Sequence, residues 1–171
     1  MKNLFALSIL AASVAMTACS KKPEETTPAT GAAATTASAS GATIIKIGHA
    51  APLTGPQAHL GKDNENGVRL AVDELNAKGL TIGGQKVQFE LHSEDDQADP
   101  RIATTVAQKF VDDKVNVMIG HLNSGTTIPA SRIYNDAGIV EISPSATNPK
   151  YTQQGYKGAF RVMANDVQQG K

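Results

Sequence analysis

Two loops of this chain are rich in small hydroxyl and glycine residues, and each follows a short apolar segment. The first loop reads GHLNSGTT over residues 120–127, after Val117-Met118-Ile119; the second reads SPSAT over residues 143–147, after residues 139–142. Such apolar segments are typical of strands buried in a parallel sheet. The first loop also opens a predicted helix over residues 127–137, whose unpaired N–H groups and dipole favour an anion such as a carboxylate. The pattern predicts an anion-binding crevice at the carboxyl ends of two neighbouring strands.

Ser124 and Thr147 are the side chains of these loops that we expect to contact a ligand. Each hydroxyl can donate to a carboxylate oxygen, and backbone N–H groups around Ser145 and Thr147 can complete the set. Two alternatives stay open at this level. Ser124 could be an ordinary helix N-cap, and Thr147 could be a turn residue before Asn148-Pro149. Their joint placement after adjacent predicted strands favours the ligand-binding interpretation.

The acidic run Glu94-Asp95-Asp96 raises the alternative of a metal or ribose site. A dinucleotide fold would have G-x-G-x-x-G after the first strand and an acidic residue ~20 positions later. Here the first turn reads GHAAPLTG, and the acidic run lies more than 40 residues beyond it. We therefore expect a solvated acidic loop, with no metal and no cofactor.

His49 and His121 both follow predicted strands, so a catalytic or metal-binding pair is conceivable. A serine hydrolase would need a nucleophile next to a base, and Ser124 with either histidine is the candidate pair. Because Asn123-Ser124-Gly125 is not a G-x-S-x-G elbow, we expect both histidines to be structural.

The elements that must position these residues alternate between strand and helix. Strands are predicted at residues 44–50, 86–92, 117–119, 139–142 and 159–163; helices are predicted at residues 62–78, after Asp99-Pro100, and at residues 127–137. This order is typical of the α/β class, with a mainly parallel sheet and helices on both faces.

The amino-terminal part of the chain has the composition of an exported protein. Residues 1–19 are predicted to be a signal peptide, because Lys2 precedes an apolar segment of 13 residues, whereas a membrane span needs ~20. Cys19, the single cysteine, lies in a sequence similar to a bacterial lipobox and is the predicted lipid-attachment site. Residues 20–42, rich in Thr, Ala, Ser and Pro, are predicted to form a disordered tether.

The remaining domain, residues 43–171, has 13 basic and 14 acidic residues and thus a formal charge of −1. Aromatic residues make up 4% of the chain, too few for the stacking surfaces of nucleic-acid-binding proteins. We expect no nucleic-acid partner.

The segment from about Ile44 to Gly170 resembles the amino-terminal lobe of the branched-chain amino acid-binding proteins of ABC transporters. The stretches that carry the resemblance are IKIGHAAPLTGPQAHLGKDNENGVRLAVDELNAKGL, DDQADPRIATTVAQKFVDD, VMIGHLNSGTTIPASRIYNDAGIVEISPSATNP and GYKGAFRV. The resemblance implies the type I periplasmic-binding-protein fold, in which two lobes close on a free amino acid and then dock on a membrane permease. It also implies a location in the periplasm or cell envelope, and the lipobox-like sequence at Cys19 predicts that a lipid anchors the protein there.

The resemblance assigns roles to individual residues. In the family, the α-carboxylate of the ligand is held by a serine at the position of Ser124, by the backbone at Ser145, and by the side chain and amide of Thr147. Leu60 falls where relatives can place an aromatic wall beside the ligand side chain, and we count Asn123 among the ligand-binding residues too. Some relatives have a disulfide between two loops; its positions are Ala98 and Asn123 here.

The resemblance also indicates that residues 43–171 are an incomplete binding domain. The second lobe, with the acidic group that pairs with the ligand's ammonium, has no counterpart in the sequence. We therefore expect an amino acid-delivery protein for an ABC importer rather than an enzyme, with weak or no ligand binding by this chain alone. The alternatives are a ligand-sensing receptor domain of the same fold and the serine hydrolase considered above.

Overall fold

The computed structural model describes residues 41–170. The predicted signal peptide, Cys19 and residues 20–40 of the predicted tether lie outside the described residues. The strands are β1 (Thr43–Ala51), β2 (Thr81–Ile82), β3 (Gln85–Asp95), β4 (Val117–Gly120), β5 (Val140–Ser143) and β6 (Ala159–Arg161). The helices are α1 (Ala58–Lys78), α2 (Pro100–Asp112), α3 (Ser124–Asp136), α4 (Lys150–Gln153) and α5 (Asp166–Gln169). Between residues 41 and 170, no helix is long and apolar enough to cross a membrane.

The strands form one sheet in the order β2-β3-β1-β4-β5-β6. The short strand β2 pairs antiparallel with β3, and every other neighbouring pair is parallel. Strand β1 lies in the middle of the sheet, where Ile47 is paired with Leu91 of β3 on one side and with Val117 of β4 on the other. This topology confirms the predicted α/β fold with a mainly parallel sheet.

Helices α2 and α3 cover one face of the sheet and enclose the main hydrophobic core. Phe110 of α2, Met118 of β4 and Tyr134 of α3 are fully buried there. Gly48 of β1 faces this core, since a Cβ atom at that position would lie 3.0 Å from the sulfur of Met118 and 3.4 Å from the ring of Phe110. Each large apolar side chain buried in this way contributes ~1.5–3 kcal/mol to stability.

Helix α1 packs on the opposite face, against β1 and β3. Its first turns approach the sheet so closely that a Cβ atom at Gly61 would lie 1.9 Å from the carbonyl oxygen of Pro52. Beyond α1, this face is open: Val140 and Phe160 are 37% and 51% exposed. A groove of about 430 Å³ runs between α1 and the sheet, where it is lined by apolar residues such as Ile119 and Pro144. Helices therefore lie on both faces, as predicted. Within residues 41–170, however, strands β4–β6 are covered by helices on the α2–α3 face only.

Two helices begin earlier than their apolar periodicity predicts. Helix α1 begins at Ala58 instead of residue 62, because the carbonyl of Gln57 accepts hydrogen bonds from the N–H groups of Leu60 and Gly61. Helix α3 begins at Ser124 instead of residue 127, because the carbonyl of Asn123 accepts from the third and fourth residues of the helix. The first turn of α3 is polar, and residues 58–61 of α1 include no buried apolar side chain, so neither turn adds to an apolar stripe and periodicity misses both.

The start of α2 agrees with its sequence signal. Asp99 is the N-cap, and its carboxylate accepts hydrogen bonds of 2.7 Å and 3.3 Å from the backbone N–H groups of Arg101 and Ile102. Pro100 is the first helical residue, where the missing N–H costs no hydrogen bond.

A carboxyl group is buried beneath the α3 face of the sheet. The Glu141 side chain is 1% exposed, and neither of its carboxyl oxygens has a hydrogen-bond partner among the described residues. The nearby Tyr151 hydroxyl donates instead to the backbone carbonyl of Glu141 at 3.1 Å. Burial raises the pKa of the Glu141 carboxyl to about 9, so this side chain is protonated and neutral at physiological pH.

Replacing Glu141 with methionine should stabilise the chain by about 1–3 kcal/mol at neutral pH, because an unsatisfied buried polar group is exchanged for an apolar one of similar size. The folded-state pKa of Glu141 lies above the ordinary value of 4.5. The stability that its proton confers is therefore complete below about pH 4.5 and is lost as the pH rises through about 9. Urea unfolding between pH 5 and pH 9 measures both effects.

The matched control is Glu74→Met on the exposed surface of α1. This variant should keep the wild-type slope of unfolding free energy against pH, whereas Glu141→Met should flatten it. Equal slopes for wild type and Glu141→Met would show that the Glu141 carboxyl has an ordinary pKa.

Candidate ligand-binding site

Three loops meet at the carboxyl edge of the parallel strands: the β1–α1 loop, the β4–α3 loop and the β5–α4 loop. Three hydrogen bonds connect them through side chains in and beside these loops. The bonds run from Asn123 Nδ2 to Gln57 Oε1 at 2.9 Å, from the Asn148 N–H to Ser124 Oγ at 3.1 Å, and from Ser145 Oγ to Asn64 Oδ1 at 3.4 Å. Because Gln57 directly precedes α1 and Asn64 lies in its second turn, the three contacts close into a ring. We call these six residues the loop ring.

Ser124 is the first residue of α3 and not its N-cap, so the N-cap alternative is wrong. The N-cap is Asn123, whose side chain makes no capping hydrogen bond. Ser124 Oγ accepts from the backbone N–H of Asn148. The hydroxyl hydrogen of Ser124 makes no hydrogen bond within residues 41–170 and can be donated to an anion. The N-terminal N–H groups of the same helix add positive potential at this point.

The β5–α4 loop is shaped by Ser143, which sequence reasoning did not single out. This serine is fully buried. Its Oγ accepts from the N–H groups of Ala146 at 2.9 Å and Ser145 at 3.4 Å, and donates to the carbonyl of His121 at 2.8 Å. The Ser145 amide thus has only a long internal hydrogen bond. Thr147 follows in the same loop, where its carbonyl accepts from the N–H of Asp166 at 2.9 Å.

The structure brings together most of the predicted ligand-binding residues. Asn123, Ser124 and Ser145 belong to the loop ring, and Thr147 directly precedes its member Asn148. Leu60 lies in the first turn of α1, is 45% exposed, and is bonded through its N–H to the carbonyl of Gln57 at 3.0 Å. These positions are compatible with the predicted roles in ligand binding, which stay predictions.

The ring residues on α1 were missed by sequence reasoning. Gln57 lies in the turn after β1, and Asn64 lies on the helix that follows. Neither residue belongs to a recognisable sequence motif, and their hydrogen-bond partners are 66 and 81 residues away in the chain. One sequence signal could have identified Gln57 and Asn64: both follow β1, a strand whose carboxyl end lies at the predicted crevice.

A second, fully buried set of polar side chains lies beside the loop ring. His121 Nδ1 is 2.7 Å from Asp96 Oδ2, and His121 Nε2 is 3.2 Å from the hydroxyl of Tyr134. The other oxygen of Asp96 accepts from the N–H of Ala98 at 2.9 Å. These contacts join the loop after β3, which contains Ala98, to the loop after β4, which contains Asn123.

The prediction of a solvated acidic loop is wrong for Asp96, which is 0% exposed. Its neighbours are also bonded. Hydrogen bonds from Thr54, Gln97 and Leu53 outweigh the opposing effect of partial burial and hold the pKa of Asp95 below its usual value. Glu94 pairs with Lys109 at 3.0 Å. Among residues 41–170, no three His, Cys, Asp or Glu side chains are grouped to hold a metal ion.

The two histidines make hydrogen bonds away from Ser124. Burial lowers the pKa of His49 to about 4, although the carboxylate of Glu65 opposes this shift, so His49 is neutral at physiological pH. His49 Nδ1 lies 3.0 Å from the hydroxyl of Ser93. Both ring nitrogens of His121 are taken by Asp96 and Tyr134. No serine–histidine pair involving Ser124 exists in the described part of the chain, which argues against the hydrolase alternative.

Five parallel strands whose following loops meet at one edge define an open α/β domain, a class of fold in which ligands bind outside the carboxyl ends of the strands. The chain belongs to the periplasmic binding protein family, whose sequence model matches residues 44–171. It is 45% identical over 126 residues to the Leu/Ile/Val-binding protein homolog 1 of Brucella abortus, a match covering 74% of this chain and 33% of the relative. It is 44% identical over 126 residues to the leucine-specific-binding protein of Salmonella typhimurium, again with 74% and 33% covered.

Solved structures with the same fold include binding proteins with an amino acid bound. The branched-chain amino acid transporter substrate-binding protein LivJ of Streptococcus pneumoniae, in complex with isoleucine, superposes with a TM-score of 0.67 at 34% identity, over 72% of this chain and 35% of that one. An ABC transporter substrate-binding protein of Desulfitobacterium hafniense, in complex with Leu, gives 0.61 at 35% identity, over 73% and 36%. The chain spans about a third of the length of the curated relatives it matches.

Removing the Asp96 carboxylate should destabilise the chain by about 2–4 kcal/mol, because Asp96→Ala leaves both His121 and the Ala98 N–H without a buried partner. Chemical denaturation measures this loss. Asp73→Ala, on the exposed side of α1, is the matched control and should change stability by less than about 0.5 kcal/mol. Similar unfolding midpoints for the two variants would mean that the Asp96–His121 contact adds little to stability.

Proposed function

We propose that this chain supplies the amino-terminal lobe of an extracytoplasmic solute-binding protein that delivers amino acids to an ABC import permease. The branched-chain amino acids leucine, isoleucine and valine are the favoured ligands. The observation that carries the proposal is the Ser124 hydroxyl, held at the N-terminus of α3 beside the loop of Ser145 and Thr147. The Leu/Ile/Val-binding and leucine-specific-binding relatives support this ligand class.

In this proposal the loop ring receives the α-carboxylate of the amino acid. Ser124 and Thr147 donate from their hydroxyl groups, and the N–H groups of Ser145 and Thr147 add backbone donors. The helix dipole of α3 stabilises the same negative charge. Leu60, exposed in the first turn of α1, contributes an apolar surface for the ligand side chain.

The proposal also includes export of the protein and its attachment to a membrane. The predicted signal peptide and Cys19 would place the mature protein in the periplasm or cell envelope, attached to a membrane by lipid. The proposed activity is binding and delivery rather than catalysis; His49 and His121 bond to Ser93, Asp96 and Tyr134 and not to Ser124. A sensor of the same fold is the second candidate; it would bind the same ligand without changing its uptake.

One lobe offers only part of a closed site, so the chain alone should bind leucine weakly or not at all. Isothermal titration calorimetry of residues 43–171 with leucine tests this expectation. A dissociation constant in the micromolar range would contradict it, because that affinity of about −8 kcal/mol would require most of the ligand contacts to be present already.

The ligand roles are tested in the full-length gene product by thermal shift with leucine, isoleucine and valine. Ser124→Ala and Thr147→Val should each weaken binding about tenfold, since each removes a hydrogen bond to a charged group. Thr105→Val, on the exposed surface of α2, is the matched control and should bind as wild type does. Wild-type affinity in both site variants would show that the ligand's carboxylate does not bind at the loop ring. Unchanged leucine uptake in a deletion strain would favour the sensor.

A further inference from the structure

The Gln57 side chain lies in the loop ring on a rigid base. Its own carbonyl accepts from two N–H groups in the first turn of α1, those of Leu60 at 3.0 Å and Gly61 at 3.1 Å. Gly61 in turn packs against the carbonyl of Pro52 with no room for a Cβ atom. The backbone at Gln57 is therefore fixed to the end of β1, so its amide can act as a fixed hydrogen-bonding point.

The partner of Gln57 is Asn123, whose amide has a single side-chain hydrogen bond. Asn123 Nδ2 donates to Gln57 Oε1 at 2.9 Å, and Asn123 Oδ1 is buried without a partner among the described residues. Asn123 makes no side-chain cap for its own helix. The orientation of this side chain thus depends on Gln57.

The backbone of Asn123 controls the first turn of α3. Its carbonyl accepts from the N–H groups of Thr126 at 3.1 Å and Thr127 at 2.9 Å, and also from both threonine hydroxyls at 2.9 Å and 2.8 Å. Ser124 lies between Asn123 and these threonines. A displacement of Asn123 would therefore move Ser124 and the N–H groups that face the crevice.

We propose that Gln57 is a positioning residue of the crevice: through Asn123 it holds the first turn of α3, and with it Ser124, in place before any ligand arrives. The inference rests on the proposed function only in treating Ser124 as a ligand contact. A site whose donors are fixed in advance loses less entropy on binding, so Gln57 should affect affinity without touching the ligand.

The primary test needs no ligand. Backbone ¹⁵N relaxation of the full chain should give rigid amides at Ser124 and Gly125, with order parameters of about 0.85. Gln57→Met keeps the side-chain length but offers Asn123 only a weak thioether acceptor in place of the amide oxygen, and should lower both values below about 0.7. Gln57→Glu retains an acceptor and should restore them. Gln88→Met is the matched control, because Gln88 is exposed and pairs with Ile44 at the opposite end of the sheet.

A double-mutant comparison separates the Gln57–Asn123 contact from independent effects. Asn123→Ala should lower the two order parameters as Gln57→Met does, and the double variant should lower them no further, because both changes remove the same bond. Unchanged order parameters in Gln57→Met, or additive losses in the double variant, would overturn the inference.

Leucine binding by the same variants, made in the full-length gene product because the chain alone should bind leucine weakly or not at all, measures the consequence for affinity by thermal shift. Gln57→Met should weaken leucine binding about fivefold, as expected for one lost hydrogen bond, and Gln88→Met should not. If wild type shows no leucine response but the order parameters fall as expected, the positioning role holds and the assigned ligand fails. If wild type and Gln57→Met bind leucine equally with equal order parameters, the inference fails and the proposed function stands.

Discussion

The buried hydrogen bond between Asp96 and His121 is the contact on which the crevice depends. It joins the loops after β3 and β4 at 2.7 Å. The carbonyl of His121 accepts the hydroxyl hydrogen of Ser143 and shares that of Thr127 with the carbonyl of Asn123. One residue thereby fixes the start of α3 and the loop after β5. Because these polar groups are removed from water, leaving any of them unpaired would be costly, and the loops are confined to one arrangement.

The α2–α3 face of the sheet and the carboxyl edge of its strands have different roles. The α2–α3 face carries the hydrophobic core, which includes Phe110, Met118 and Tyr134 and packs against the strands that end at the crevice. Above that edge, the loop ring is polar and partly exposed, with hydroxyl and amide groups held by hydrogen bonds of 2.9–3.4 Å. A rigid apolar layer under a polar rim lets small side chains keep fixed positions without being buried.

Most of the fold could be predicted because its signals are local. Apolar segments and helical stripes identified the five parallel strands and the three long helices, and Asp99-Pro100 marked the start of α2 correctly. The first turns of α1 and α3 were missed because neither adds a buried apolar side chain to a helical stripe. The acidic run was predicted to be solvated because charged side chains usually lie in water. Asp96 is instead buried against His121, a residue 25 positions away in the chain.

The sequence by itself determined the order of strands and helices, the hydroxyl-rich loops and the family, since all of these depend on residue types at short spacing. Only the tertiary structure decided which loops meet. The Gln57–Asn123 and Ser145–Asn64 contacts span 66 and 81 residues, and no periodicity relates their partners. They exist because parallel strands bring their carboxyl ends to one edge, where side chains distant in the chain become neighbours.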